Sequence, residues 1–240
     1  MAGAPSLDLL AIGSHPDDVE ISCGGTLALA ARQGFRAGIV DLTRGELATN
    51  GDPETRAGEA EAAARILGVS VRRNAGLPDG GLQGGDPAQE RRLVALLREL
   101  RPAVLLTHFP RDRHPDHVEA SRLCDRAWYL AGLRQFEAEG EPFRPDARYH
   151  FASRIGFHPS LVVDVTGAWE AKREAILAHR SQVLRPVAAR RGRQAGAGRR
   201  GRALLRHVPS RRGRSGGFDS GSHGRPGRGA AAGSRARGSP

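Results

Sequence analysis

The chain has 240 residues, enough for one large α/β domain or one domain with an appendage. Its formal charge of +11 is lopsided, because residues 185–240 hold fifteen Arg against one acidic residue, Asp219, leaving residues 1–184 mildly acidic. Two distant cysteines, Cys23 and Cys124, exclude a disulfide framework, and the lack of any apolar run of about twenty residues excludes a membrane-spanning helix. Leu7–Gly13 reads as a buried parallel strand, followed by a helix over Gly24–Gly34 with Gly34 as its C-cap. A second strand is predicted at Arg36–Leu42, and a second helix at Pro53–Leu67 ends at Gly68. Leu77–Pro87, with four Gly and a Pro-Asp-Gly turn, reads as a loop. A helix over Pro87–Leu100, a buried strand over Ala103–Phe109 and a helix over Pro115–Leu130 follow, the last with Pro at its N1 position. Arg148–His158 and Leu161–Val165 read as paired strands, and Gly167–Arg180 as a closing helix in which Trp169 belongs to the core. This alternation implies an α/β fold, a Rossmann-like, doubly wound, mostly parallel sheet.

Residues 183–240 are Arg, Gly, Ala, Ser and Pro text without an apolar period, and read as a disordered basic tail beyond a domain of residues 1–182. The chain has one Lys, Lys172, against 36 Arg, which points to a GC-rich coding sequence. The expectation is that the tail is a frameshift product, which would put the activity of this chain in doubt. Its only aromatic residue is Phe218, so nucleic-acid binding would be electrostatic and non-specific. Met1–Asp8 lacks a basic segment and Leu9–Ile12 is too short for a signal peptide, so a cytoplasmic protein is expected.

Two tetrapeptides carry the chemistry: His15-Pro16-Asp17-Asp18 and His114-Pro115-Asp116-His117, each just after a predicted strand. In open α/β sheets ligands bind outside the carboxyl ends of strands, near a topological switch point. His15 and Asp18 lie three residues apart in a turn, and His114 and His117 lie three apart where a helix begins. Hydrolytic zinc sites use three protein ligands and leave a position for water. Four candidates thus surround one centre, with Asp17 and Asp116 as acid/base or supporting groups. A dinucleotide site is excluded, since Gly-Ser-His stands where G-x-G-x-x-G would be. Cys23 reads as a buried thiol, Trp128 and Tyr129 as helix packing, and His108 as a hydrogen-bonded structural residue; His150 and His158 give no clear indication.

His-Pro-Asp-Asp-Val-Glu after a strand, followed by Gly24-Gly25-Thr26, resembles the first motif of the PIG-L (LmbE-like) zinc deacetylases, and His114-Pro115-Asp116-His117 resembles their second. Leu42-Thr43-Arg44-Gly45-Glu46, Arg56 and Glu59, Leu67-Gly68, Leu77-Pro78-Asp79-Gly80, and the segment with His179, Ser181 and Gln182 are also similar to this family, over residues 5–183. The resemblance implies one Zn²⁺, with Fe²⁺ as the alternative ion, held by His15, Asp18 and His117. It implies Asp17 as general base, His114 as the group that stabilises the oxyanion or protonates the leaving amine, Asp116 as a supporting carboxylate, and Arg56 as a substrate contact. Ser14 stands where the family usually has Ala. Among subfamilies the chain is most similar to the bacillithiol-biosynthesis enzymes, which remove acetate from N-acetylglucosaminyl-malate. Another N-acetylglucosaminide, a chitooligosaccharide or an inositol conjugate, is the alternative. The implied partner is a small-molecule substrate; membrane and sequence-specific nucleic-acid partners are not expected, and a homo-oligomer is left open.

Overall fold

Five strands, β1 (Leu7–Gly13), β2 (Ala37–Thr43), β3 (Val71–Leu77), β4 (Pro102–His108) and β5 (Ala147–Phe151), pair in parallel in the order β3-β2-β1-β4-β5. The computed structural model describes residues 6–151 and 155–183. The central strand β1 pairs on one side with β2, Ala11 opposite Ile39, and on the other with β4, Leu10 opposite Leu105. Leu10, Ala11 and Ile12 have no solvent exposure. Burying each large aliphatic side chain stabilises the sheet by about 1.5–3 kcal/mol.

Helices cover both faces. One core cluster joins Leu93 and Leu97 of α4 (Pro87–Leu100) and Leu123 and Ala127 of α5 (Pro115–Ala131) to Leu10, Ile12 and Leu105. The other joins Val19 of α1 (Asp18–Ser22), Leu27 of α2 (Gly24–Arg32), Ala63 and Leu67 of α3 (Pro53–Leu67), and Ala171 and Ala175 of α6 (Trp169–Ala178) to Ala11 and Ile39. The short α7 (Arg180–Val183) closes the described chain. The helix starts follow local chemistry. Asp52 accepts the Thr55 N–H and Asp86 accepts those of Ala88 and Gln89, with Pro at the first helical position of both α3 and α4.

Several expectations are corrected. Residues 71–77, without a predicted strand, form edge strand β3: Arg72, Arg73 and Asn74 lower its β-propensity, but an edge tolerates charge. Helix α1, five residues long, is too short to show a period. Of the two strands predicted as a pair, the first falls in part within β5, residues 152–154 lie outside the described residues, and no strand forms over Leu161–Val165. β5 is the parallel neighbour of β4 and not the partner of residues 161–165, of which Leu161 and Val162 are 60% and 78% exposed. An apolar run with no face to bury it has nothing to fix it as a strand. The closing helix breaks at His179, and Trp169 is 52% exposed, because Ala168, Ala171 and Ala175 form the buried stripe instead. The Arg-rich tail lies outside the described residues. Among those described, no helix is long and apolar enough to cross a membrane.

Candidate metal centre

The chain leaves β1 on one side of the sheet's switch point and β4 on the other, so the segments after them meet at one edge. Ser14 ties them together: its Oγ donates to the Asp116 carbonyl (3.2 Å), and its N–H donates to His108 Nε2 (3.0 Å). Gly13 lets the turn pack closely, since a Cβ there would stand 3.2 Å from Asp18 Cβ and 3.1 Å from Val19 Cγ2.

Asp18 sits at the middle of the cluster. The His15 N–H donates to its Oδ2 (2.9 Å), His15 Nδ1 lies 3.3 Å from Oδ2, and His117 Nε2 lies 3.2 Å from Oδ1. Ligand atoms of His15, Asp18 and His117, all three buried, lie within 4.8 Å of one another. Two donors about 2.0–2.1 Å from a tetrahedral zinc would stand about 3.4 Å apart, so the spacings around Asp18 already suit a divalent ion. His15, His114 and Asp116 form a second grouping within the same limit, but His114 is exposed. Burial alone would raise the Asp18 carboxyl; the imidazoles of His108, His117 and His15 hold it well below the usual carboxylate range. Burial likewise opposes a charge on His15, yet Asp18, Asp79 and Asp116 raise it to about 9.

The far nitrogens of His15 and His117 also face carboxylates. His15 Nε2 is 3.0 Å from Asp79 Oδ1 and 3.4 Å from Asp116 Oδ2, while His117 Nδ1 is 3.3 Å from Asp112 Oδ2. Asp116 Oδ2 also accepts the Gly80 N–H (2.7 Å), and Asp79 Oδ2 accepts that of Leu47 (2.9 Å).

Asp17 has a backbone φ of 124°, a conformation that costs a non-glycine residue on the order of 1–3 kcal/mol. Burial and the neighbouring Asp18 charge raise its carboxyl to about 7, against the pull of Arg56 and His179. His114 caps α5 through Nδ1, which accepts the Asp116 N–H (3.2 Å), so in the neutral ring the proton is on Nε2. Burial and the nearby His15 and His117 lower its pKa.

These groups line a cleft of about 350 Å³ that also takes in Arg56, Asp79, Asp112, Arg113 and Gln182. Thus His15, Asp17, Asp18, His114, His117 and Arg56 all border one cavity, with Asp116 against His15. Arg56 is almost fully buried, its guanidinium donating to the carbonyls of Gly45 (3.0 Å) and Pro16 (2.7 Å) with Asp17 Oδ1 3.7 Å away. Asp112, Asp41 and Arg72 are not singled out by the sequence, and Asp79, Glu20 and His179 stand only within family-like segments, with no role assigned to them. In the buried network behind α1, Arg72 pairs with Asp41 (2.7 Å) and Glu20 (2.5 Å), and His179 lies 3.2 Å from Glu20. Asp112 stands two residues before the second motif, and that proximity was its only mark. Cys23 and Cys124 are buried, and burial pushes both thiols up to about 12. Trp128 packs against the core and donates from Nε1 to the Pro145 carbonyl (2.9 Å).

Residues 10–128 match the family described as PIG-L, GlcNAc-PI de-N-acetylase. A 1D-myo-inositol 2-acetamido-2-deoxy-alpha-D-glucopyranoside deacetylase of Streptomyces avermitilis is 34% identical over 60% of this chain and 60% of its own. The chain thus spans about three fifths of that relative's length. The crystal structure of the conserved protein TT1542 from Thermus thermophilus is 48% identical with a TM-score of 0.71, covering 73% of this chain and 80% of that one. The N,N'-diacetylchitobiose deacetylase of Pyrococcus horikoshii is 26% identical with a TM-score of 0.66, over 73% of this chain and 70% of that one.

Proposed function

Because the chain belongs to the PIG-L family, we propose that it is a metal-dependent N-deacetylase of a small N-acetylglucosamine conjugate. The observation that carries this reading is the convergence of three buried donors, His15, Asp18 and His117, beside a strained carboxylate, Asp17, in a 350 Å³ cleft. That volume is at the small end of ligand pockets and suits one sugar with a short aglycone.

His15 Nδ1, Asp18 and His117 Nε2 would hold the ion, zinc in the first place and Fe²⁺ as the alternative. Such an ion supplies Lewis acidity, polarising the acetamide carbonyl and lowering the pKa of a water. Asp17, with a pKa near neutrality, takes the proton of the attacking water at its carboxylate. A neutral His114 offers its Nε2–H as a hydrogen bond to the oxygen on which charge develops; only as the imidazolium could it give a proton to the departing nitrogen. With the ring neutral, the proton that Asp17 took passes to that nitrogen as the amide C–N bond breaks, and acetate and the free amine leave. Arg56 fixes the turn that aims Asp17, and it borders the cleft where substrate would lie.

For the aglycone, malate is the reading that follows from the subfamily resemblance, and Arg113 at the cleft would suit its carboxylates. An inositol glycoside is the second reading, favoured by the named substrate of the Streptomyces relative. The test is amine and acetate release from N-acetylglucosaminyl-malate, the inositol glycoside and diacetylchitobiose, with stoichiometric zinc and after chelation. Zinc-dependent release from one of them is expected. No release from any by a folded, zinc-loaded protein would overturn the proposal.

A further inference from the structure

We infer that Asp112 is a positioning residue that joins the two halves of the second motif, orienting His117 for metal and fixing the backbone of His114 with one carboxylate. The inference rests on the metal-site reading above. The side chain of Asp112 is 5% exposed, and its carboxylate divides its oxygens between two tasks. Oδ1 accepts the His114 N–H at 2.9 Å, and Oδ2 lies 3.3 Å from His117 Nδ1. The opposite nitrogen, His117 Nε2, faces Asp18 Oδ1 at 3.2 Å, which is the side on which a metal would bind.

The division has a chemical consequence. An imidazole gives a metal only one nitrogen, and the other must then carry a proton. His117 Nδ1 is buried and has no well-aligned hydrogen bond, so the Asp112 oxygen beside it is the acceptor that this proton needs. A carboxylate there selects the Nδ1–H tautomer, stops the ring turning about its Cβ–Cγ bond, and makes Nε2 a stronger donor to the ion. His114 and His117 are stacked with ring centroids 4.7 Å apart, so a shift of the His114 backbone would also displace the His117 ring. His15 has its own carboxylates, Asp79 and Asp116, on its far side. Asp112 differs from them because it also holds the capping residue of α5.

The test measures zinc affinity by competition with a chromophoric chelator, for the wild type, His117→Ala, Asp112→Asn and Asp112→Ala, on metal-free protein whose folding is checked by its thermal midpoint. Loss of a supporting partner of this kind weakens metal binding by about 10–100-fold. Asp112→Asn, which keeps an acceptor but not the charge, should fall at the low end of that range, and Asp112→Ala at the high end, with thermal midpoints close to wild type. Wild-type zinc affinity in both Asp112 variants, beside loss of zinc in His117→Ala, would overturn the inference and leave the metal site standing. If the wild type itself holds no zinc, the metal-site reading fails first. If Asp112→Asn binds zinc as the wild type does while Asp112→Ala loses both zinc and its thermal transition, Asp112 is merely structural and the inference fails.

Discussion

Arg56 donates to the carbonyl of Pro16 at 2.7 Å, one peptide ahead of Asp17 and its φ of 124°. The other arm of the guanidinium reaches the Gly45 carbonyl at 3.0 Å. A buried, fixed side chain on α3 thereby braces the turn that the proposed general base occupies, and a strained backbone persists only where its surroundings over-determine it.

Gly45 is the place to test that brace without touching the Arg. Its φ is +69°, and a Cβ there would overlap Arg56 Nη1, so the guanidinium would have to leave. Gly45→Ala should therefore reproduce much of the activity loss of Arg56→Ala. The double variant should be far from additive, with an interaction energy of about 0.5–3 kcal/mol in a double-mutant cycle on kcat/KM. Additive losses would separate the two residues.

Asp17→Asn should keep stoichiometric metal and lose turnover by about 10²–10⁴-fold, the range for removing a general base. Near-full turnover would refute the role. The backbone gives an independent reading: Asp17→Gly should be more stable than Asp17→Ala by about 1 kcal/mol in urea unfolding, because glycine accepts the positive φ.

His15→Ala should lose metal by elemental analysis. In the metal-free protein His15 is raised to about 9, so at pH 7 its ring carries a proton that an incoming ion must displace. Zinc titrated into weakly buffered apoprotein at pH 7 should release at least about one proton per ion, and affinity should climb with pH until about 9. Binding without proton release would contradict the assignment of His15.

Glu20 links folding to acid. Burial works against its charge, but His179 and Arg72 hold it down to about 2, below its ordinary 4.5. Its contribution is fully present above about pH 4.5 and is lost as pH falls from there toward 2, on the order of 3 kcal/mol in all. Urea midpoints of the apoprotein should drop steeply over that window, and Glu20→Gln should be less stable at neutral pH with a flatter acid limb. Parallel acid limbs for the two proteins would rule out this linkage.

The sequence made the alternation of the fold legible because β1, β2 and β4 are mostly apolar and α3, α4 and α5 begin with Pro after a capping side chain. It hid β3, whose two arginines lower its strand pattern while Arg72 serves a buried ion pair, and it overread Leu161–Val165, where apolar residues stay exposed. The two His-Pro-Asp motifs stood out because every chemical group sits inside a tetrapeptide. Asp79 and Asp112 did not, because a supporting carboxylate is defined by the nitrogen it faces and not by its neighbours in the chain.

The placement of β1 beside β4 also decides when the site can exist. Ser14 and His108, hydrogen-bonded to each other, are 94 residues apart in sequence. No stretch containing only one of the two motifs can assemble the cluster, and closing so long a loop is entropically costly before any contact rewards it. In the proposed centre, metal affinity would therefore report sheet closure, and a chelator competition run during refolding would time the pairing of its two central strands.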